Sequence, residues 1–321
     1  MLLQVSRSGE REVIEIIAKL AKDKETICVV GPSSSGKSYY ASKLAEALGG
    51  TVISTDDFYR ADSWKISAIL STFDHPYLID WDLLMSTIYE AREKEYIEVP
   101  IYDMRVSART GYKRIKVSKP LIIEGIFASY GPLRELCEFR VAFESPLHLL
   151  LARRMLRDTK RAMEAPSRVL DRVVRTVFPM AKLFVEPQIN SADVKVYNDW
   201  RPDLPEKLGK CEKGEGEGNV EGERRVIKLS YEGDSVYIIE NFIDDSVEHY
   251  VLVSWGGKFI GARVHPETAY ATLSALSAHR YSLESYLQKG KWKGEIIIGN
   301  LVNEKTWEEL GKRVCCKLCV P

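Results

Sequence analysis

Apolar residues fall along the chain in two patterns. Residues 26–30 (TICVV), 51–54 (TVIS), 120–128 (PLIIEGIFA), 140–143 (RVAF) and 194–197 (VKVY) are short apolar runs. Such runs predict strands covered on both faces, as in a parallel sheet. Between them lie helical patterns over 11–21, 80–95, 147–163 and 167–185. In the first, Val13, Ile16, Ile17 and Leu20 recur at helical spacing. Another helix follows residue 38, where Tyr40, Leu44, Ala47 and Leu48 share a face and Gly49 stands at the position that ends a helix. Strands alternating with helices predict an α/β domain with a parallel sheet and helices on both faces.

From 201 to 224 the pattern stops. The stretch RPDLPEKLGKCEKGEGEGNVEGER is glycine- and glutamate-rich, cannot bury a core, and reads as a linker. Beyond it RVIKLSY, SVYIIENF, YVLVSW and FIGARV read as strands and PETAYATLSALSAHRYSLESYL as a helix. EIIIG and TWEELGKRV follow as a last strand and a last helix. The expected organisation is therefore an α/β domain over 1–200, a linker over 201–224, and a small α+β domain over 225–321.

Composition narrows the classes. Lys and Arg number 46 against 46 Asp and Glu, and 45% of residues are hydrophobic. That content suffices for a core and excludes a disordered chain. A zero net charge argues against a long-polyanion or membrane-surface partner, so neither nucleic acid nor membrane is expected. No run of 18 apolar residues occurs and the first residues turn charged early, so a cytoplasmic location is expected. The 6 cysteines are too sparse for a disulfide framework, although Cys316 and Cys319 have a zinc-compatible C-x-x-C spacing.

The strongest local signal is Gly31-Pro-Ser33-Ser34-Ser35-Gly36-Lys37-Ser38, which fits G-x-x-x-x-G-K-[ST] between a buried strand and an amphipathic helix. Small residues let successive backbone amides curl round a polyphosphate, Lys37 reaches the terminal phosphates, and the Ser38 hydroxyl can hold Mg²⁺. Tyr39 begins the helix beside this loop. Asp56 and Asp57 follow the second strand, at the strand ends that face the ligand crevice of an open α/β sheet. Asp56 could take a proton from an attacking hydroxyl or cap a turn, whereas Asp57 reads more readily as a turn residue. Glu124 lies within an apolar strand, so if buried it must be paired or metal-linked.

Charge concentrates at one place. Residues 153–175 hold eight basic side chains against three acidic ones, and Arg153, Arg157 and Arg161 share one helix face. A phosphate-binding lid is one reading of that stripe and a solvated face the other, while Arg172 and Arg175 read as solvated.

These motifs together resemble the uridine/cytidine kinases, within the group that includes phosphoribulokinase. The resemblance runs from the glycine loop through Ser54-Thr55-Asp56-Asp57-Phe58-Tyr59-Arg60, Phe73-Asp74-His75-Pro76, Val99-Pro100-Ile101-Tyr102-Asp103 and Ile123-Glu124-Gly125-Ile126 to Arg153-Arg154-Met155-Leu156-Arg157-Asp158. It implies an alcohol-accepting phosphotransferase using ATP or GTP with Mg²⁺, most simply a pyrimidine-salvage enzyme that phosphorylates a nucleoside 5′-hydroxyl. Asp56 would be the base. Lys37, Arg157 and Arg161 would stabilise the transferring phosphoryl, Arg153 and the loop through Tyr39 would hold nucleotide, and Ser38 and Glu124 would hold metal. Tyr59, Phe73, Asp74, Tyr102, Ser107 and Arg109 would form the acceptor pocket, with Phe73 and Tyr102 also readable as core aromatics.

Two departures stand out. Ser107 occupies the region where uridine kinases place a base-reading histidine, and Ala162-Met163-Glu164-Ala165-Pro166 replaces the lid's Gly-Arg-Asp element. Ser107–Tyr112, Arg157–Ala162 and Thr176–Met180 more closely resemble uridine-kinase-like domains fused to a triphosphate-tunnel (CYTH) domain. The tunnel's Glu-x-Glu-x-Lys signature is absent, so no triphosphatase chemistry is expected of the C-terminal module. Two alternatives remain: a kinase for a sugar, sugar phosphate or other polyol, and a nucleotide-binding regulator or polyphosphate hydrolase. A homo-oligomer is also open, with the helix at 266–287 as a candidate interface.

Overall fold

The computed structural model describes residues 1–5, 9–162, 164–202, 224–231, 234–243, 246–256, 258–278 and 292–298. Residues 203–223 of the expected linker, the last helix and Cys211, Cys315, Cys316 and Cys319 lie outside the described residues. Chain contacts divide the protein into two compact units that do not follow a single cut at the linker. One is Met1–Pro146 with Thr176–Trp200, and the other is Leu147–Arg175 with Arg201–Pro321.

The first unit begins with β1 (Leu2–Val5), α1 (Glu10–Leu20), β2 (Thr26–Val30), α2 (Lys37–Leu48) and β3 (Thr51–Ser54). A 3-10 turn, Thr55–Phe58, leads to α3 (Ser63–Leu70) and α4 (Trp81–Glu93). Next come the antiparallel hairpin β4 (Tyr96–Asp103) and β5 (Ala108–Lys116), then β6 (Leu121–Gly125), α5 (Leu133–Leu136) and β7 (Phe139–Glu144). The six-stranded sheet is parallel throughout, in the order β1-β8-β7-β2-β6-β3, with β8 at Val194–Asn198.

Both faces of this sheet are apolar, which is why its strands lack a polar alternation. Ile27 and Val29 of β2 pack in a core with Val13, Ile17, Tyr40 and Leu44 from α1 and α2. Cys28 and Val30 point the other way, into a core with Leu84, Ile88, Ile123 and Phe127. In α1, Val13 and Ile17 are buried as the spacing predicts, but Leu20 is exposed. Within the second core the structure links Cys28 to Cys137 as a disulfide with Cα atoms 5.6 Å apart. One such link is not a disulfide framework; separation along the sequence carried no sign of it, and only the fold brings β2 beside Cys137 at the end of α5.

The second unit contains α6 (Leu147–Ala162) and α7 (Pro166–Arg172). The helical pattern over 167–185 breaks up after α7 into π-helical turns and the short α8 (Phe178–Met180), with α9 (Glu186–Asn190) before β8. The C-terminal residues of the unit form an antiparallel sheet of β9 (Arg224–Tyr231), β10 (Asp234–Ile243), β11 (Ser246–Trp255), β12 (Lys258–Val264) and β13 (Trp292–Ile298). Its strand order is β12-β11-β10-β9-β13, and α10 (Pro266–Ala278) packs on it. Among the described residues no helix is long and apolar enough to cross a membrane.

Candidate nucleotide and phosphoryl-transfer site

The glycine loop leaves β2 under tight steric control. A Cβ on Gly31 would meet the Phe143 carbonyl oxygen at 2.5 Å, and one on Gly36, whose φ is +96°, would meet Asn198 Nδ2 at 2.7 Å. Asn198, at the end of β8, donates from Nδ2 to the Ser35 carbonyl at 2.8 Å and pins the loop against the sheet. Ser34 sits in the left-handed region with φ +69°. The result is a concave turn of small residues whose amides precede a helix N-terminus.

Two polar groups of this loop are not satisfied by their neighbours among the described residues. Ser35 Oγ is buried without a hydrogen-bond partner among the described residues. Lys37 is buried at 7% exposure and forms no ion pair among them. A desolvated ammonium without a counter-ion is costly, and an incoming polyphosphate would supply the missing charge. A cradle that a Cβ would fill and an orphaned buried hydroxyl both fit a nucleotide phosphate chain.

One carboxylate connects the loop to the next strand. Glu124, 5% exposed at the end of β6, accepts from Ser38 Oγ at 3.0 Å and from Ser54 Oγ at 2.6 Å. The parallel register places Ser54 of β3 directly beside Glu124. The Asp56 backbone N–H donates to the same Ser54 Oγ at 3.4 Å. A continuous hydrogen-bond chain thus runs from the turn bearing Asp56 through Ser54 and Glu124 to Ser38. Close packing fixes its middle: a Cβ on Gly125 would lie 1.8 Å from Thr55 Oγ1. Ser38 with Glu124 is an oxygen-donor pair suited to Mg²⁺ and the waters it retains. Asp57, by contrast, pairs with Lys113 at 3.0 Å, as befits a turn residue.

The aromatics expected at the acceptor pocket do come together. Tyr59 lies 5.1 Å from Tyr102 and 6.2 Å from Phe73 between ring centroids. Their hydroxyls are engaged internally: Tyr59 donates to the Phe73 carbonyl at 2.9 Å, and the Tyr102 oxygen lies 2.6 Å from Ser63 Oγ. Ser107, in the hairpin turn with φ +50°, also hydrogen-bonds the Tyr102 phenol. Burial raises the pKa of that phenol against both serine contacts, so it stays protonated. Asp74 is partly buried, and its amide is held by Thr72 Oγ1 at 3.0 Å.

Three residues expected at the site are engaged in other contacts among the described residues. Arg109 is a brace: one Nη donates to Asp80 at 2.9 Å and to the Tyr59 carbonyl at 3.1 Å, tying the hairpin to the N-cap of α4. The Tyr39 phenol donates to Glu10 at 2.6 Å and so turns toward α1, which leaves its backbone amide as its contribution to the loop. Arg153 is only 8% exposed and sits close enough to His148 to oppose its protonation, so it belongs to the interior of the second unit.

In that unit Arg157 donates to Asp158 at 2.7 Å, and Arg154 and Arg172 reach the same carboxylate at 3.2 and 3.3 Å. Burial alone would raise the Asp158 pKa, but these arginines outweigh it and hold the group ionised. Arg172 also pairs with Glu164 at 2.6 Å, and Arg175 with Asp171 and Glu267 at 2.6 and 2.7 Å. Neither is the merely solvated residue that the charge run suggested. The Arg161 side chain lies outside the described residues.

Ser54, Thr55, Asn198 and Asp80 are the supporting residues that local sequence did not single out for a role. Only their places at strand ends and beside the Asp56 turn hinted at one.

Comparison with known proteins identifies the family. The model of the phosphoribulokinase/uridine kinase family matches residues 26–198. The chain is 37% identical over 176 residues to an Arabidopsis thaliana protein named inorganic pyrophosphatase TTM2, covering 54% of this chain and 26% of that one. It is 34% identical to uridine-cytidine kinase C of Dictyostelium discoideum, over 54% of this chain and 39% of that one. The chain thus spans well under half the length of these two relatives. It is also 30% identical to the uridine kinase of Ureaplasma urealyticum serovar 10, over 55% of this chain and 89% of that one. Among solved structures, one described as a possible uridine kinase from Bacillus stearothermophilus superposes with a TM-score of 0.42 at 16% identity, covering 58% of this chain and 98% of that one. With more than half of its length matched, and with the glycine loop, the Asp56 turn and Glu124 in one hydrogen-bonded corner, the chain belongs to the phosphoribulokinase/uridine kinase family.

Proposed function

We propose that the protein transfers the γ-phosphoryl of ATP or GTP to the 5′-hydroxyl of a pyrimidine nucleoside, as a Mg²⁺-dependent cytoplasmic enzyme. The observation that carries this reading is the hydrogen-bond chain Asp56–Ser54–Glu124–Ser38. Through the Asp56 backbone amide it ties the turn that carries the candidate base to the candidate metal-holding pair, the neighbourhood that phosphoryl transfer requires of acceptor and nucleotide.

In this mechanism the loop amides and Lys37 bind the β- and γ-phosphates. Ser38 and Glu124 would hold Mg²⁺, which would supply neutralisation of the phosphate charge. Asp56 orients the acceptor hydroxyl and accepts its proton as the oxygen attacks phosphorus and the bond to the β-phosphate oxygen breaks, giving ADP or GDP. Arg157 and Arg161 spread the charge on the transferring group. Tyr59, Phe73 and Tyr102 offer a stacking surface, and Asp74 binds acceptor hydroxyls.

Because the phenols of Tyr59 and Tyr102 are committed to internal hydrogen bonds, the pocket presents ring surface more than donors. A sugar or sugar phosphate has no planar base for that surface, so these bonds favour the nucleoside over the polyol reading. The test is an acceptor panel of nucleosides, sugars and sugar phosphates incubated with ATP and Mg²⁺. ADP formed only with uridine or cytidine is the expected result. ADP formed only with a polyol, or phosphate release without any acceptor, would overturn it.

A further inference from the structure

Phe73 and Asp74 lie in the segment between α3 and α4, where the chain is neither helix nor strand from Thr72 to His75. Side chains hold this stretch in place. The Tyr59 phenol donates to the Phe73 carbonyl, Thr72 Oγ1 accepts from the Asp74 amide, and Trp81 Nε1 donates to the Pro76 carbonyl at 2.9 Å. His75 caps the 3-10 turn Pro76–Leu78, its Nδ1 accepting from the Tyr77 amide at 3.1 Å. The same imidazole stands edge-to-face on a ring from far along the chain: its centroid lies 5.0 Å from that of Phe184, at an interplanar angle of 74°. All of these residues belong to the first compact unit.

Phe184 is itself fixed from several sides. It sits in the π-helical turn Ala181–Val185, whose wider hydrogen-bonded rings are uncommon and recur at functional sites. Its ring packs against the core of the first unit and lies 6.0 Å from that of Tyr130, again edge-to-face. Its carbonyl accepts from Gln188 Nε2 at 2.7 Å. Gln188, in α9 and buried, also donates to the Ile126 carbonyl at 2.9 Å, and its Oε1 accepts from the Ser129 amide at 3.0 Å and the Ser129 hydroxyl at 3.2 Å. Both donors and both acceptor sites of that amide are thereby used. Ile126 to Ser129 is the stretch that continues directly from Glu124 and Gly125. The Phe184 ring is therefore a rigid buttress, set against the same segment that carries the candidate metal ligand, and His75 leans on it.

We propose that Phe184 is a positioning residue for the acceptor, acting through the His75 ring on Phe73 and Asp74. An acceptor hydroxyl has to be held in line with the phosphoryl group, and a loop without regular structure keeps that alignment only if something stiff stands behind it. This inference rests on the function proposed above, since it assigns Phe184 to the acceptor side of the same reaction.

The experiment uses the full chain as wild type, Phe184→Leu, Phe184→Tyr, His75→Asn, the double variant of Phe184→Leu with His75→Asn, and Leu183→Ala as a control. Phe184→Leu keeps apolar bulk and the carbonyl that Gln188 bonds, but loses the edge-to-face contact. His75→Asn keeps a side-chain oxygen to accept from the Tyr77 amide and removes the ring. Leu183 is the exposed neighbour in the same turn. Thermal melting checks folding, and the readouts are kcat, KM for uridine or cytidine and KM for ATP.

The expected result for Phe184→Leu is a rise in the KM for acceptor of about fivefold or more, with the KM for ATP unchanged. His75→Asn should do the same, and the double variant should lose no more than either single one, because both remove one contact. Phe184→Tyr, which keeps the ring, should recover most of the loss, and Leu183→Ala should match wild type. A folded Phe184→Leu with a wild-type KM for acceptor would overturn the proposal. So would equal rises for acceptor and ATP, which would mark a merely structural role, or additive losses in the double variant. If Phe184→Leu does not fold, His75→Asn decides the matter by the same split between acceptor and ATP. A wild type that turns over no nucleoside overturns the proposed function and this inference together, whereas an active wild type with unresponsive variants overturns the inference alone.

Discussion

The glycine-loop corner and the arginine unit both handle concentrated charge, yet they are built on opposite plans. At the corner, Lys37 has no ion pair and Ser35 Oγ no hydrogen bond among the described residues. In the arginine unit Asp158 gathers Arg154, Arg157 and Arg172, while Asp234 gathers His148 and Arg201. Internal satisfaction stabilises a fold, whereas groups left without partners are available for a ligand and cost stability until it arrives. Lys37 and Ser35 are thereby open to a ligand, whereas Arg157 and its neighbours are held against a carboxylate of their own unit until a ligand competes for them.

Lys37→Ala tests the first half of this comparison. It should reduce turnover by about 10³-fold or more while leaving the melting temperature unchanged or slightly raised, because no internal ion pair is lost. Steady-state kinetics beside a thermal melt would check both, and a marked fall in melting temperature would show that Lys37 is structural. Asp158→Ala tests the second half. It leaves three arginines without their shared carboxylate and should destabilise the protein by about 2 kcal/mol, discounted because two of those arginines are about a third exposed. Urea unfolding measures this, and an unchanged midpoint would break the contrast.

Acid sharpens the same contrast. The Asp158 and Asp234 pKa values are held low, so their contribution is present above the ordinary carboxylate range and lost as the pH falls through the lowered folded values. The His148 pKa is also lowered, so between the unfolded value and the folded one the unfolded chain binds more protons. His148 therefore weakens the fold as pH drops below about 6.5, and the two carboxylates do so only from about pH 4 downward. Melting temperatures should decline across pH 7 to about 2, and Asp234→Asn should flatten the part of that slope below about pH 4. The smallest effect is expected at Asp57, whose ion pair with Lys113 lies near the surface. Asp57→Asn should change stability by less than about 1 kcal/mol and turnover by no more than about threefold.

Much of the first unit was legible because its signals are local. The strand, glycine loop and helix order, the Asp56 turn and Glu124 each follow from residue type and spacing, and Gly49 ends α2 in the left-handed region as expected, with φ +68°. The hairpin β4–β5 was visible only as a motif around Tyr102, and β1 not at all. The former alternates buried and exposed residues over a short span, and the latter gains its place by pairing with β8, nearly two hundred residues away. The Cys28–Cys137 link, the Asn198 brace and the Arg109–Asp80 pair are likewise distant in sequence, and nothing near any one residue names its partner. The arginine stripe shows the limit most clearly. Helical spacing put Arg153 and Arg157 on one face, but it could not reveal that the fold would bury the first and leave the second partly exposed.

The central claim is that the hydrogen-bonded corner from Ser38 to Asp56 performs phosphoryl transfer to an acceptor hydroxyl. Its most direct test follows label from γ-³²P-labelled ATP into uridine or cytidine, in wild type and in Asp56→Asn. Label in the nucleoside 5′-phosphate with wild type, reduced by about 10²-fold or more in the variant while ATP affinity is retained, is the predicted result. Equal transfer by the variant, or label released only as inorganic phosphate, would contradict the account.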